Sequence, residues 1–220
     1  NFPKQLNELK DGLCSSTSKL INISISSHNP NYIKINNEMI ISKNNDNDNK
    51  YENLIFANRN IKEVNIPNFI KRIKSHCFSE CNELEYIKFE SNSILENIDE
   101  YSFYNCSIKT ICIPNTIKTI EDFSFSECKK LQEINIPITS NISRIGKQAF
   151  DNSSIKTFHL PNNINEINDG TFNRCKNLMT IEIDDDSDLV SIDTDAFSYT
   201  LINELKITSK VEELKEGWCK

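Results

Sequence analysis

Residues Ile108–Lys130, IKTICIPNTIKTIEDFSFSECKK, contain the unit from which most of the chain is built. In the first half, Ile108, Ile111 and Ile113 are apolar, and Lys109, Thr110 and Cys112 lie between them. β-Branched side chains at this spacing fit a strand with one buried face. Pro114 ends the strand, because proline has no N–H to give to a ladder. The second half runs through Ile117 and Ile120 to Phe125 and closes at Cys128, and the pattern restarts at Leu131.

The first apolar position recurs at Ile61, Leu84, Ile108, Leu131, Ile155, Leu178 and Ile202, a spacing that alternates between 23 and 24 residues. The ring recurs as Phe78, Phe103, Phe125, Phe150, Phe172 and Phe197. Five residues before each stands Ile73, Ile98, Ile120, Ile145, Ile167 or Ile192. A short period sustained over this many copies predicts a solenoid. Ordering one residue's backbone costs about 1–2 kcal/mol, and burying a large apolar side chain returns about 1.5–3 kcal/mol, so a single coil cannot hold itself folded. Stacking on neighbours supplies the remainder.

The pattern L-x-x-I-x-I-P, then I-x-x-I, four residues and A/S/C-F-x-x-C, resembles the BspA-like leucine-rich repeat family over nearly the whole chain. Val64–Pro67, Ile111–Pro114, Ile134–Pro137 and Phe158–Pro161 carry the strand end. The pairs Cys77-Phe78, Ser102-Phe103, Ser124-Phe125, Ala149-Phe150, Thr171-Phe172 and Ala196-Phe197 carry the ring position. Departures are the loss of proline at Glu90, Asp184 and Thr208, few of the glycines that family repeats often carry, and Cys14 and Cys219 in place of phenylalanine. The fold expected is β-rich α/β: a right-handed leucine-rich-repeat solenoid of 23–24-residue coils with a parallel concave sheet and an inserted β-hairpin. The resemblance also implies a surface-exposed adhesion role.

Along the chain, residues 1–19 read as the tail of a cut coil, with Phe2-Pro3 at the strand end, Leu6 and Leu9 at the paired isoleucines and Leu13-Cys14 at the ring position. Residues 20–60 read as a coil with an insertion: Leu20, Ile23 and Ile25 form its concave strand. After Asn29-Pro30-Asn31-Tyr32 come two apolar runs, one with Ile33, Ile35 and Met39–Ile41 and one from Tyr51 to Ala57, around the polar tip Lys43–Lys50. Two such runs around a polar tip predict a hairpin with a long turn, and an N-P-x-Y hairpin between coils is also what the resemblance implies. Residues 61–201 form six regular coils, with extra residues placed in turns at Ser91–Leu95, Thr139–Ile142 and Asp184–Leu189. Residues 202–220 form a truncated coil with a last strand at Leu205–Ile207. The chain lacks an initiator Met and stops within this coil at Trp218-Cys219-Lys220, and so reads as a fragment of a longer protein.

A formal net charge of −7, with lysines dispersed among acids and asparagines, excludes the basic stripe that a nucleic-acid binder needs. The same balance disfavours an anionic membrane surface. No apolar run approaches the roughly 18–20 residues of a membrane span, so no membrane insertion is expected within this stretch. Cys81, Cys106, Cys128 and Cys175 share one repeat position, three residues after the ring, and read as packing groups with free thiols, since free cysteine behaves as a small buried hydrophobe.

No catalytic constellation is present: His28, His76 and His159 fall in no nucleophile or zincin pattern, and an enzyme is not expected. Asp46, Asn47, Asp48 and Asn49 lack the glycine at position 6 and the glutamate at position 12 of an EF-hand loop. Cys77 and Cys81 are explained by repeat register, without a second pair at zinc spacing, so neither metal nor cofactor is expected. What remains is surface. The two strand positions flanking the middle aliphatic face outward, and from them Tyr86, Lys88, Glu133, Asn135, His159 and Glu182 are the candidate binding residues, on a face suited to a broad polar partner. The partner expected is a protein or glycan on a host or neighbouring cell, with the chain secreted or at the cell surface; a cytoplasmic scaffold is the alternative. Asn22, Asn105, Asn141 and Asn152 stand in N-x-S sequons, and Asn22 would carry its glycan on the concave face.

Overall fold

The computed structural model describes residues 2–10, 12, 15–44, 50–137 and 139–220. Leu13-Cys14 and the calcium candidates Asp46, Asn47, Asp48 and Asn49 lie outside them. The chain winds as a β-solenoid, and each regular coil contributes one short strand to each of two walls. The first wall holds β4 (Glu63–Ile66), β6 (Tyr86–Phe89), β8 (Thr110–Cys112), β10 (Glu133–Asn135), β12 (Thr157–His159) and β14 (Thr180–Glu182). The second holds the two-residue strands β5 (Arg72–Ile73), β7 (Asn97–Ile98), β9 (Thr119–Ile120), β11 (Arg144–Ile145), β13 (Glu166–Ile167), β15 (Ser191–Ile192) and β16 (Glu213–Leu214).

Pairing within both walls is parallel, and equivalent repeat positions meet: Val64 opposite Ile87, Ile111 opposite Ile134, Ile98 opposite Ile120. Each wall is interrupted once, between β10 and β12 and between β11 and β13. At the first gap Phe158 stands where the other strands carry a smaller aliphatic, and its ring turns edge-on to Phe172 at 4.8 Å. At the second, the Asn168 side-chain amide donates to the Ile145 carbonyl at 2.8 Å.

The helical half implied by an α/β fold is absent: the described residues contain no helix. The cause lies beside the phenylalanine. In every regular coil the residues two before and two after it have positive φ, as at His76 and Glu80, Tyr101 and Asn105, Phe123 and Glu127. Left-handed residues alternating with right-handed ones cannot continue a helix. They give a staircase instead. The Ser102, Tyr104 and Cys106 N–H groups donate within the coil, to Asp99, Tyr101 and Phe103. Those of Tyr101, Phe103 and Asn105 leave it, donating to Asp122, Ser124 and Ser126 of the next coil at 3.1, 2.8 and 2.9 Å. This third wall runs unbroken from Phe78 to Trp218, across both gaps in the sheets. Side chains rarely adopt positive φ; here three of them, His76, Tyr101 and Phe123, stack on one another with centroids 5.1 and 4.7 Å apart.

Inside the third wall the six phenylalanines form one file. Successive ring centroids are 4.9, 4.9, 5.5, 5.5 and 5.7 Å apart, with planes within 13° of parallel. All are buried, and Trp218 closes the file edge-on at 6.3 Å from Phe197. The residue before each ring is small and buried because the next backbone passes over it. Gly146 shows how close the coils come: a Cβ there would lie 2.4 Å from the Asp122 backbone nitrogen. Cys106, Cys128 and Cys175 are buried free thiols that donate to the carbonyls of Cys81, Phe103 and Phe150 in the preceding coil. Burial pushes Cys81 up to about 11, Cys128 and Cys175 to about 12, and Cys106 well above its usual range.

The termini differ from the expectation. The two runs expected to form one hairpin make three antiparallel strands, β1 (Tyr32–Ile35), β2 (Met39–Lys43) and β3 (Tyr51–Ala57). The first run is split by Asn36 and Asn37, both at positive φ, which a tight hairpin turn requires and asparagine tolerates. β3 then pairs in parallel with β5, so the second wall continues directly from this meander. Leu20–Ile25 do not join the first wall; Ile25 makes one bridge, to Phe2, and Ile23 packs with Tyr32, Ile40 and Phe56 in a separate small core. Leu205–Ile207 form no strand, although β16 pairs with β15.

Candidate protein-interaction face

Along β6 the side chains alternate, Ile87 into the core and Tyr86 and Lys88 outward, and the other first-wall strands do the same. Parallel register converts this alternation into columns. Glu63, Tyr86, Thr110 and Glu133 are successive partners in one. Asn65 with Lys88, Cys112 with Asn135, and His159 with Glu182 are partners in the other. The outward positions expected from the sequence thus face outward on β4 to β14, in columns that break between β10 and β12. Asn22, expected to carry a glycan on the concave face, falls on a segment that joins no first-wall strand, so it stands apart from it.

The candidates form two groups, not one. Tyr86 is 49% exposed, and the Lys109 ammonium lies 5.6 Å from its ring centroid. Lys109 also pairs with Glu85 at 2.6 Å, and that hydrogen bond holds the Glu85 carboxyl below its usual range and raises Lys109. Two coils on, Glu133 accepts from the Asn135 amide at 2.9 Å, and Asn135 also reaches the Cys112 sulfur at 3.7 Å. Beyond the gap, His159 sits between two carboxylates: Nδ1 is 3.3 Å from Glu182 and Nε2 is 3.4 Å from Asp184. Carboxylates only accept, so each contact needs an N–H on the ring nitrogen that faces it, and a neutral ring supplies one such donor at a time.

Lys109 and Asp184 were not among the sequence candidates. Lys109 stands one residue after the first apolar position, a column the period-two argument does not treat as facing the sheet. Asp184 replaces the strand-ending proline, and that departure is the signal that would have found it. Among the sequons, Asn22 and Asn141 are exposed, whereas Asn105 and Asn152 are half-buried at the positive-φ step of the third wall. The Asn152 amide is committed to Glu127 at 2.9 Å. Among the described residues no group of three or more His, Cys, Asp or Glu is placed to hold a metal ion, and no helix is long and apolar enough to cross a membrane.

Among solved structures, a leucine-rich repeat protein from Eubacterium ventriosum is similar to 99% of this chain at 20% identity, with a TM-score of 0.73 and 56% of its own length covered. The T. pallidum leucine-rich repeat protein shares 27% identity at a TM-score of 0.51, over 55% of this chain and 56% of its own. The pneumococcal vaccine antigen PcpA shares 17% identity at a TM-score of 0.57, over 90% of this chain and 46% of its own. The chain spans about half the length of these solved relatives. No curated protein matches it. A model of the BspA type leucine-rich repeat region matches in six copies, over residues 49–140 and 96–219. Those stretches cover the coils whose register the fold displays, and the chain belongs to the BspA-type leucine-rich repeat family.

Proposed function

We propose that the chain is a non-enzymatic interaction module that binds a protein or glycan on a host or neighbouring cell through the outward columns of the first wall. The observation that carries this reading is the register itself: polar side chains of both signs, with one large aromatic, repeat at fixed spacing on strands whose inward residues share one core with the phenylalanine file. Extended faces of this kind are what stacked repeats offer to macromolecules, and Tyr86 is the residue type enriched at binding hot spots. A place at the cell surface is supported by the family and by the description of one structural neighbour as a vaccine antigen.

The test is a double variant, Tyr86→Ala with Lys88→Ala, measured against immobilised extracellular-matrix and cell-surface preparations. Binding should fall by at least about 30-fold while the urea midpoint stays put, as truncation of a hot-spot side chain costs about 2 kcal/mol or more. Unchanged binding removes this patch from the interface. A well-folded wild-type chain that binds none of the preparations removes the reading.

A further inference from the structure

The repeat supplies its own control for which outward positions are polar. Two residues after the phenylalanine, successive coils carry Glu80, Asn105, Glu127, Asn152 and Arg174, and then Tyr199. One residue after the first apolar position they carry Lys62, Glu85, Lys109, Gln132 and Lys156, and then Met179. One residue before it they carry Asn60, Glu83, Ser107, Lys130, Ser154 and Asn177, and then Leu201. Coil packing accommodates a polar residue at every earlier copy of these positions, so it does not demand the apolar replacements.

The three replacements gather at one corner. The Leu201 N–H donates to the Leu178 carbonyl at 2.9 Å, which sets Leu201 beside Met179, and Tyr199 is two residues upstream on the same coil. All three are open to solvent, at 65% for Tyr199, 59% for Leu201 and 52% for Met179. Tyrosine and methionine are the residue types that interface cores favour. Beside the corner, Lys156, whose carbonyl accepts from the Met179 N–H, and Lys176 are exposed, and neither enters an ion pair among the described residues. Their neighbours differ: Arg174 is bound to Asp151 and Glu127, and Lys129 to Glu127. Two uncommitted cations thus flank an apolar trio in a chain of net charge −7.

We infer that this corner is a second docking site, separate from the first wall, for an acidic partner-protein segment that presents apolar side chains. The trio supplies the anchor, and the lysines select carboxylates and hasten encounter. An anionic bilayer fits less well, because an extended plane faces the whole molecule of net charge −7, whereas a short segment meets the corner alone.

The repeat also provides the test variant. Tyr199→Asn, Met179→Lys and Leu201→Ser together install the residues already tolerated at Asn152, Lys156 and Ser154, and an unchanged urea midpoint verifies the fold. Random 12-residue peptides displayed on phage are selected against the wild-type chain, and the recovered peptides are synthesised and titrated by fluorescence anisotropy. They are expected to combine Asp or Glu with aromatic or aliphatic residues. On the triple variant they lose about 30-fold or more in affinity, the size of a hot-spot loss. With Lys156→Gln and Lys176→Gln they lose their salt dependence, and with Tyr86→Ala and Lys88→Ala they bind as before, which separates this site from the first wall. Recovery of no peptide, of peptides without acids, or of peptides that bind the triple variant equally well overturns the inference. So does phosphatidylserine-vesicle binding or dimerisation that the triple variant abolishes, since either assigns the corner to another occupant.

Discussion

Replacing Phe125 by alanine tests the stacking argument at its centre. The side chain is fully buried, with parallel rings 4.9 Å away on the Phe103 side and 5.5 Å away on the Phe150 side. Truncating a buried phenylalanine to alanine costs about 3–5 kcal/mol, and an aromatic pair is worth about 0.5–1.5 kcal/mol beyond burial. With two ring neighbours, and backbone hydrogen bonds that keep the coils from collapsing into the gap, the expected loss lies at the top of that range, about 4–5 kcal/mol. Phe125→Leu, which keeps most of the volume, should lose about 1.5–2 kcal/mol, and it gives a measurable value if the alanine variant unfolds outright. Phe69→Ala is the control: that ring is 42% exposed, and its loss should cost about 1 kcal/mol. Urea unfolding is followed both by far-ultraviolet circular dichroism and by the fluorescence of Trp218, the one tryptophan, which sits at the far end of the file. In a nearest-neighbour solenoid, central damage should separate the two transitions. If Phe125→Ala costs no more than Phe69→Ala, the rings are not what holds neighbouring coils together.

Thiol labelling of the folded chain in a Cys14→Ser background should modify Cys112 and Cys219 rapidly and leave Cys77, Cys81, Cys106, Cys128 and Cys175 unmodified until unfolding; fast labelling of more than two thiols would contradict the packing. Because burial raises Cys128 and Cys175 to about 12, their stabilising effect is complete below the unfolded value near pH 9 and is lost as pH rises toward 12. At pH 10 each thiol should cost about 1.4 kcal/mol, a penalty that Cys128→Ala removes from the slope of stability against pH. Asp193 behaves in the opposite sense: burial opposes its ionisation, but the Thr194 N–H and Lys215, 3.0 Å away, outweigh it and hold the carboxyl below its usual range. Its contribution is present above about pH 4 and lost below, so Asp193→Asn should flatten the acid limb of a pH titration of the urea midpoint. Gly146→Ala should destabilise by about 2 kcal/mol or more, since the new Cβ meets backbone that cannot move aside; Gly170→Ala, which meets the flexible Gln148 side chain at positive φ, should cost about 1 kcal/mol.

The coil register is legible in the sequence because one repeat position means one place in the stack: Phe103 and Phe125 are copies before they are neighbours. The outward columns are legible for the same reason, since a strand alternates with period two and parallel pairing adds no offset. The absence of helix is not legible. The residues that break it, such as Tyr101, Phe123 and Gln148, are not the glycines that usually mark positive φ, and what lets them stay is a stack or a ladder bond that only the neighbouring coil provides. The ends are read poorly too. Leu20–Ile25 and Leu205–Ile207 have strand composition, but each joins no first-wall ladder, and composition alone does not supply a partner. At the candidate face, Tyr86 and His159 are found from the pattern, whereas their companions Lys109 and Asp184 are set by how the chain enters and leaves the strand.

In the third wall every coil offers amide hydrogens to its successor and receives them from its predecessor. That wall is thus polar, with a donating end and an accepting end, and each of its seams has the same chemistry as the next. A gene segment encoding one whole module can be duplicated or deleted without creating a new kind of joint, whereas a cut out of phase leaves both strands and amides unmatched. Lengthening by copying is built into the hydrogen bonding of such a chain, and lengthening by any other increment is not.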